Sequence, residues 1–114
     1  MRVRQYPAQT ETHLHVLRRL HGNPDVTQRQ LSQDLRMSLG AVNYCLHALV
    51  EKGWVKIQNL SRHGNKLGYA YLLTPAGVAK KTALTKHFLR RKIQEYAALQ
   101  AEIEMTQKWD GQEQ

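Results

Sequence analysis

Apolar residues return every three or four positions along several stretches of this chain, and each such stretch predicts a helix with one buried face. Leu14, Val16, Leu17 and Leu20 form the first set. Thr10 precedes them as a cap, and Glu11 suits the positively polarised first turn. Gly22 and Pro24 close this helix, because glycine takes left-handed backbone and proline cannot continue a helix. The expected span is about 10–21. Val26-Thr27-Gln28-Arg29-Gln30 then reads as a capping box in which Thr27 caps and Gln30 reaches back. It opens a second helix, about 27–36, with Leu31 and Leu35 inward. Arg36-Met37-Ser38 is a three-residue turn, and Ser38 caps a third helix over about 38–52. Leu39, Val42, Cys45, Leu46, Leu49 and Val50 make up the apolar set of that helix.

Past Gly53 the character changes to short runs rich in Trp, Tyr, Val and Ile. "WVKIQNL" and "LGYAYLL" are separated by "SRHGNK", where Gly64-Asn65 is a turn signal, so residues 54–73 read as a β-hairpin. Thr74-Pro75 supplies a capping hydroxyl followed by proline at the first helical position. Little breaks the helix that follows until Asp110-Gly111, so it is expected over about 74–109. Leu89, Ile93, Tyr96, Leu99 and Ile103 recur along it at steps of three and four. A helix this long outreaches a domain of this size, and the stripe is expected to form a two-stranded contact between two copies. The overall expectation is a mainly α protein with a small β-hairpin. It comprises a basic N-terminal arm (1–9), a helical and hairpin domain (10–73), the long helix (74–109) and a tail (110–114).

Two helices joined by about three residues and followed by a hairpin make a winged helix-turn-helix. The geometry suits duplex DNA, whose major groove is about 12 Å wide and admits one helix. With the apolar set turned inward, the third helix presents Ser38, Gly40, Ala41, Asn43, Tyr44 and His47. Gly40 and Ala41 are small enough for a close approach, Asn43 can pair bidentately with adenine, and Tyr44 and His47 can bond bases or phosphates. Phosphate contacts are expected from the amides of Thr27, Gln28 and Arg29 at a helix N-terminus, and from the side chains of Arg29 and Arg36. Arg62, His63 and Lys66 at the wing complete the set.

Charge strengthens this picture. The formal net charge is +8, from 17 Lys+Arg and 9 Asp+Glu among 114 residues. It is unevenly spread: residues 1–92 carry 16 basic and 4 acidic residues, and residues 93–114 carry one lysine and 5 acidic residues. A body this basic carries the electrostatic footprint expected of a polyanion binder, although proteins that bind nothing acidic are often basic too, and the acidic end is not expected to touch phosphate. With only four acidic residues before position 93, no carboxylate pair, nucleophile motif or Gly-rich phosphate loop appears, so an enzyme is not expected. His13 and His15 point to different sides of a helix and no Cys/His/Asp group has ligand spacing, so neither a metal nor a cofactor is expected. Cys45 is the single cysteine, which excludes an internal disulfide and favours a buried structural thiol over a redox switch. No apolar N-terminal leader or membrane-length apolar run is present, so a cytoplasmic protein is expected.

"TQRQLSQDLRMSLGAVNYCLHALVEKGWVKIQNL", followed by "KLGYAYLLTPAGVAKK" and the long helix, resembles the MarR-type winged-helix regulators, and within them the small exopolysaccharide-associated subgroup. The resemblance covers about residues 10–105. It implies a dimeric DNA-binding regulator of transcription, linked to exopolysaccharide genes, with Asn43 and Tyr44 at base-contacting positions and Arg62 in the wing. Larger relatives add terminal helices that frame an effector pocket; the short arm here does not lead one to expect such a pocket. Arg36 also stands where a glycine is common, which implies some backbone strain accepted in exchange for a phosphate contact. Winged helices elsewhere dock on proteins or structured RNA, which is the alternative reading.

Overall fold

The structure, a computed structural model, describes residues 8–59 and 69–112. Their order is α1 (Ala8–Gly22), α2 (Gln28–Leu35), α3 (Leu39–Glu51), β1 (Val55–Asn59), β2 (Tyr69–Leu73) and α4 (Pro75–Gln112). The mainly helical class with one antiparallel hairpin is as expected from the sequence. Residues 1–7 of the basic arm, the turn at Gly64-Asn65 with Arg62, His63 and Lys66, and the last two residues of the tail lie outside the described residues. The chain divides into two compact units, Met1–Thr82 and Ala83–Gln114.

In the first unit the apolar periodicity becomes a core. Leu14, Val16, Leu17 and Leu20 of α1 are buried, as are Leu31 of α2 and Val42, Cys45, Leu46 and Leu49 of α3. Val26, Val55, Ala70 and Tyr71 join them. Each buried leucine contributes about 1.5–3 kcal/mol relative to exposure, so this set carries most of the unit's hydrophobic stabilisation. Two expectations need correction. Thr10 lies inside α1, which begins at Ala8, and so does not cap it. At the other end of the chain, α4 runs through Asp110-Gly111 to Gln112 rather than stopping at 109.

α3 ends where the chain must reverse. Gly53 adopts φ 78°, a left-handed value that glycine takes without steric cost, and its amide bonds the Val50 carbonyl at 3.0 Å. The Trp54 amide bonds the Leu49 carbonyl at 3.1 Å, which satisfies another helix-end acceptor. β1 then leaves and pairs antiparallel with β2, with Val55 opposite Leu73 and Ile57 opposite Tyr71. Thr74 follows the end of β2. Its amide bonds the Trp54 carbonyl at 3.0 Å, its hydroxyl donates to the Gly53 carbonyl at 2.6 Å, and the same oxygen accepts the Gly77 amide at 3.0 Å. The capping role expected of Thr74 is therefore present, and the cap also clasps the end of α3.

Around Trp54 the His13 ring lies edge to face, the two centroids 6.5 Å apart and the planes at 73°, while Lys52 and Lys80 lie 5.3 and 5.0 Å from the Trp54 centroid. Burial, reinforced by the two lysines, lowers the pKa of His13 below the ordinary 6.5. Neutral His13 is thus favoured in the fold, and its share of stability is present above that value and is lost as pH falls below it.

Cys45 is 4% exposed, and burial pushes its thiol up to about 11 from an ordinary 9.0. The thiol stays protonated at neutral pH, and the thiolate is the reactive form. A maleimide reagent at pH 8 is therefore expected to leave native Cys45 unlabelled and to label it fully in urea; rapid native labelling would contradict the burial. Because the folded value is the raised one, the thiol's contribution is whole below pH 9.0 and is lost as pH rises toward about 11. Cys45→Ala should flatten that part of the alkaline loss in urea unfolding.

In the second unit every described side chain from residue 89 to residue 111 of α4 is exposed. Leu89, Ile93, Tyr96, Leu99 and Ile103 share one face there, each more than half exposed.

Candidate nucleic-acid interface

The turn between α2 and α3 is built from local hydrogen bonds. The Thr27 hydroxyl accepts the Gln30 amide at 3.0 Å, and the Gln30 side-chain oxygen accepts the Thr27 amide at 3.0 Å. This is the reciprocal capping box that the sequence predicts. It also changes one expectation: the Thr27 amide is occupied inside the box, which leaves those of Gln28 and Arg29 in the first turn, where no partner exists four residues back. α2 stops at Arg36, whose backbone is left-handed (φ 54°, ψ 44°) and whose amide returns to the Gln33 and Ser32 carbonyls. The Met37 amide also bonds the Ser32 carbonyl, and the Ser32 hydroxyl donates back to the Met37 carbonyl. Ser38 then starts α3, its hydroxyl accepting the Ala41 amide at 3.1 Å.

Arg36 is exposed and is the one non-glycine residue with positive φ among the described residues. That conformation costs an L-residue about 1 kcal/mol, which glycine avoids. Arg36→Gly is therefore expected to raise stability by about 0.5 kcal/mol after glycine's extra unfolded-state entropy is subtracted. Urea unfolding checks this, and a loss of stability would mean that the guanidinium makes a stabilising contact.

The turn aims α3 so that one face is core and the other open. Ser38, Gly40, Ala41, Asn43, Tyr44 and His47 are all exposed, Tyr44 at 75%. A Cβ placed on Gly40 would meet nothing within 4 Å, so packing inside the chain does not require a glycine there. Leu39 shares the apolar spacing of α3, but it is 49% exposed and sits one turn before Asn43 on the open side. At the first turn of a helix the periodicity cannot tell where the neighbouring element ends, so nothing in the sequence marked it.

Among the expected phosphate residues, Arg29 and Arg36 are exposed beside the turn. Gln28 is not free for that role in the same way. It is half-buried, and its side-chain amide donates to the Tyr71 hydroxyl of β2 at 2.9 Å. The bond joins the hairpin to the first helix of the pair across 43 residues of sequence. Arg19 and Asp34 approach to 3.4 Å and link α1 to α2, an exposed pair worth at most about 1 kcal/mol. Among the described residues no group of three or more His, Cys, Asp or Glu side chains could hold a metal ion, and no helix is long and apolar enough to cross a membrane.

Residues 9–56 match the family described as winged helix-turn-helix DNA-binding. The structure of Streptococcus pneumoniae FabT in complex with DNA is 25% identical, with a TM-score of 0.57 over 74% of this chain and 57% of that one. The Multiple Antibiotic Resistance Repressor, MarR, is 26% identical, with a TM-score of 0.58 over 74% and 62% of the two chains. The transcriptional regulator SlyA gives a TM-score of 0.65 at 16% identity, over 77% and 61%. This chain thus spans about 57–62% of the length of these solved regulators. No curated protein matches it. The helices and hairpin therefore form a winged helix-turn-helix with the fold of MarR-type regulators.

Proposed function

We propose that this protein is a cytoplasmic, homodimeric regulator of transcription that reads double-stranded DNA by sequence. The observation that carries the reading is the open face of α3. Asn43, Tyr44 and His47 project from a helix whose other side is core, and small Gly40 and Ala41 at its start let the backbone enter the major groove. Leu39 adds an apolar contact suited to a thymine methyl group. Ser38, at the N-cap, can also meet a base or its phosphate. Arg29 and Arg36 hold phosphate at the edge of the groove, and Arg62, His63 and Lys66 do so from the wing. The first-turn amides at Thr27, Gln28 and Arg29 favour an anion as well, the last two most directly. Dimerisation runs through Leu89, Ile93, Tyr96, Leu99 and Ile103, and a two-fold dimer calls for an inverted-repeat operator. Sequence resemblance points to exopolysaccharide gene clusters as the targets.

Selection of binders from a random duplex pool tests the proposal. A palindromic enriched motif is the expected result. No enrichment, together with tighter binding to structured RNA or to a protein, would replace the regulator with a docking module.

A further inference from the structure

The stripe on α4 has an internal symmetry that a simple apolar face does not need. From Leu89 to Ile93, Tyr96, Leu99 and Ile103 the steps are four, three, three and four, a palindrome about Tyr96. Charge along the same helix is divided about the same region. Lys86, Arg90, Arg91 and Lys92 lie on its N-terminal side, where the one acidic residue before Tyr96 is Glu95, paired with Lys92 at 3.4 Å, while Glu102, Glu104 and Asp110 follow with Lys108 alone opposing. All these side chains are exposed, and Leu89, Ile93, Tyr96, Leu99 and Ile103 are between 54% and 68% exposed.

We propose that a second copy of this chain covers the stripe, antiparallel to the first, with the two-fold axis passing beside Tyr96. The inference deepens the homodimer reading above and rests on it. In this register Leu89 meets Ile103 of the other copy, Ile93 meets Leu99, and the two Tyr96 rings face each other. Every apolar residue of the stripe then has an apolar partner. A parallel pair would instead put the basic ends together and the acidic ends together.

The flanks fit only the antiparallel arrangement. Lys86 and Glu104 are separated by about five full helical turns, so they occupy the same flank of the stripe. In an antiparallel pair like flanks adjoin, which brings each Lys86 to the Glu104 of the other copy. In a parallel pair Lys86 would adjoin the opposite flank, whose Lys92 adds to the repulsion at the basic end.

Cross-linking with the full chain, in the absence of DNA, tests this. Sedimentation equilibrium should give the dimer mass. After subunit exchange, a mixture of Leu89→Cys and Ile103→Cys proteins should form a covalent heterodimer with a short bismaleimide. Leu89→Cys alone should not link, because its two copies lie about 21 Å apart along the axis. Tyr96→Cys alone should link, and wild type, with Cys45 buried, should not. Lys86→Glu should weaken dimerisation about tenfold, and adding Glu104→Lys should restore it. A monomer by mass, or efficient linking of Leu89→Cys with itself, would overturn the proposal. An antiparallel dimer that enriches no duplex sequence would instead remove the DNA reading and leave this pairing intact.

Discussion

Gly77→Ala is expected to lower the unfolding free energy of the protein by about 2 kcal/mol and its Tm by about 10 °C. A Cβ at this position would lie 1.9 Å from the Trp54 carbonyl oxygen and 2.9 Å from its carbon. Those are backbone atoms, and they cannot swing aside as a side-chain end can. They are also held in place, since the same oxygen accepts the Thr74 amide at 3.0 Å. To make room, the start of α4 must move off the entry to β1, and the Thr74 clasp on Gly53 and Gly77 must loosen with it. Overpacking of this kind typically costs about 1–3 kcal/mol and occasionally more, against about 1 kcal/mol regained from alanine's helix propensity. Gly40→Ala is the control, because nothing lies within 4 Å of its added Cβ. That variant should be as stable as wild type or up to about 1 kcal/mol more stable. Thermal unfolding of both variants by circular dichroism checks the pair, and equal effects would show that the close approach at Trp54 does not constrain the fold.

Asn43→Ala is expected to erase much of the preference for operator over random duplex. Asn43 is exposed on α3, so the fold should be unaffected. A bidentate amide–adenine contact is worth about 1–3 kcal/mol of discrimination, and a two-fold dimer makes it twice. The ratio of specific to random affinity should therefore fall by about 30-fold or more. Most of the change should come from weaker operator binding, since phosphate contacts supply the non-specific affinity. Lys66→Ala should behave oppositely, weakening all sequences alike and reducing the salt slope by about one per protomer. Titration of operator and scrambled duplexes over a range of salt concentrations separates the two patterns. If Asn43→Ala discriminates as wild type does, base readout lies with other residues of α3.

The features that were legible in the sequence are those whose physics is local. The capping box of Thr27 and Gln30, the Ser38 cap and the Thr74 cap each place a hydroxyl three residues ahead of the amide it serves, and each is present. Val42, Cys45, Leu46 and Leu49 declare themselves by spacing and are buried together. Contacts made across the sequence were not legible. Nothing within a few residues of Gln28 foretells the Tyr71 hydroxyl, and Gly77 in isolation reads as a poor helix former rather than a packing site. Leu39 fits the helical period, yet no neighbouring element reaches far enough to cover it. Thr10 resembled a cap because it precedes an apolar run, although the helix had already started at Ala8.

Under the proposed DNA reading, the bond from Gln28 to Tyr71 also bears on what kind of duplex would be selected. The bond ties β2 of the hairpin to α2, the helix that precedes the proposed reading helix α3. A helix pair and hairpin tied together in this way would adapt little to a duplex, so the duplex would have to adapt to them. Steps that bend or narrow easily lower the cost of seating both elements at once, and stiff steps raise it. Base pairs between the contacts of α3 and those of the wing, touched by neither, should then influence affinity through their flexibility.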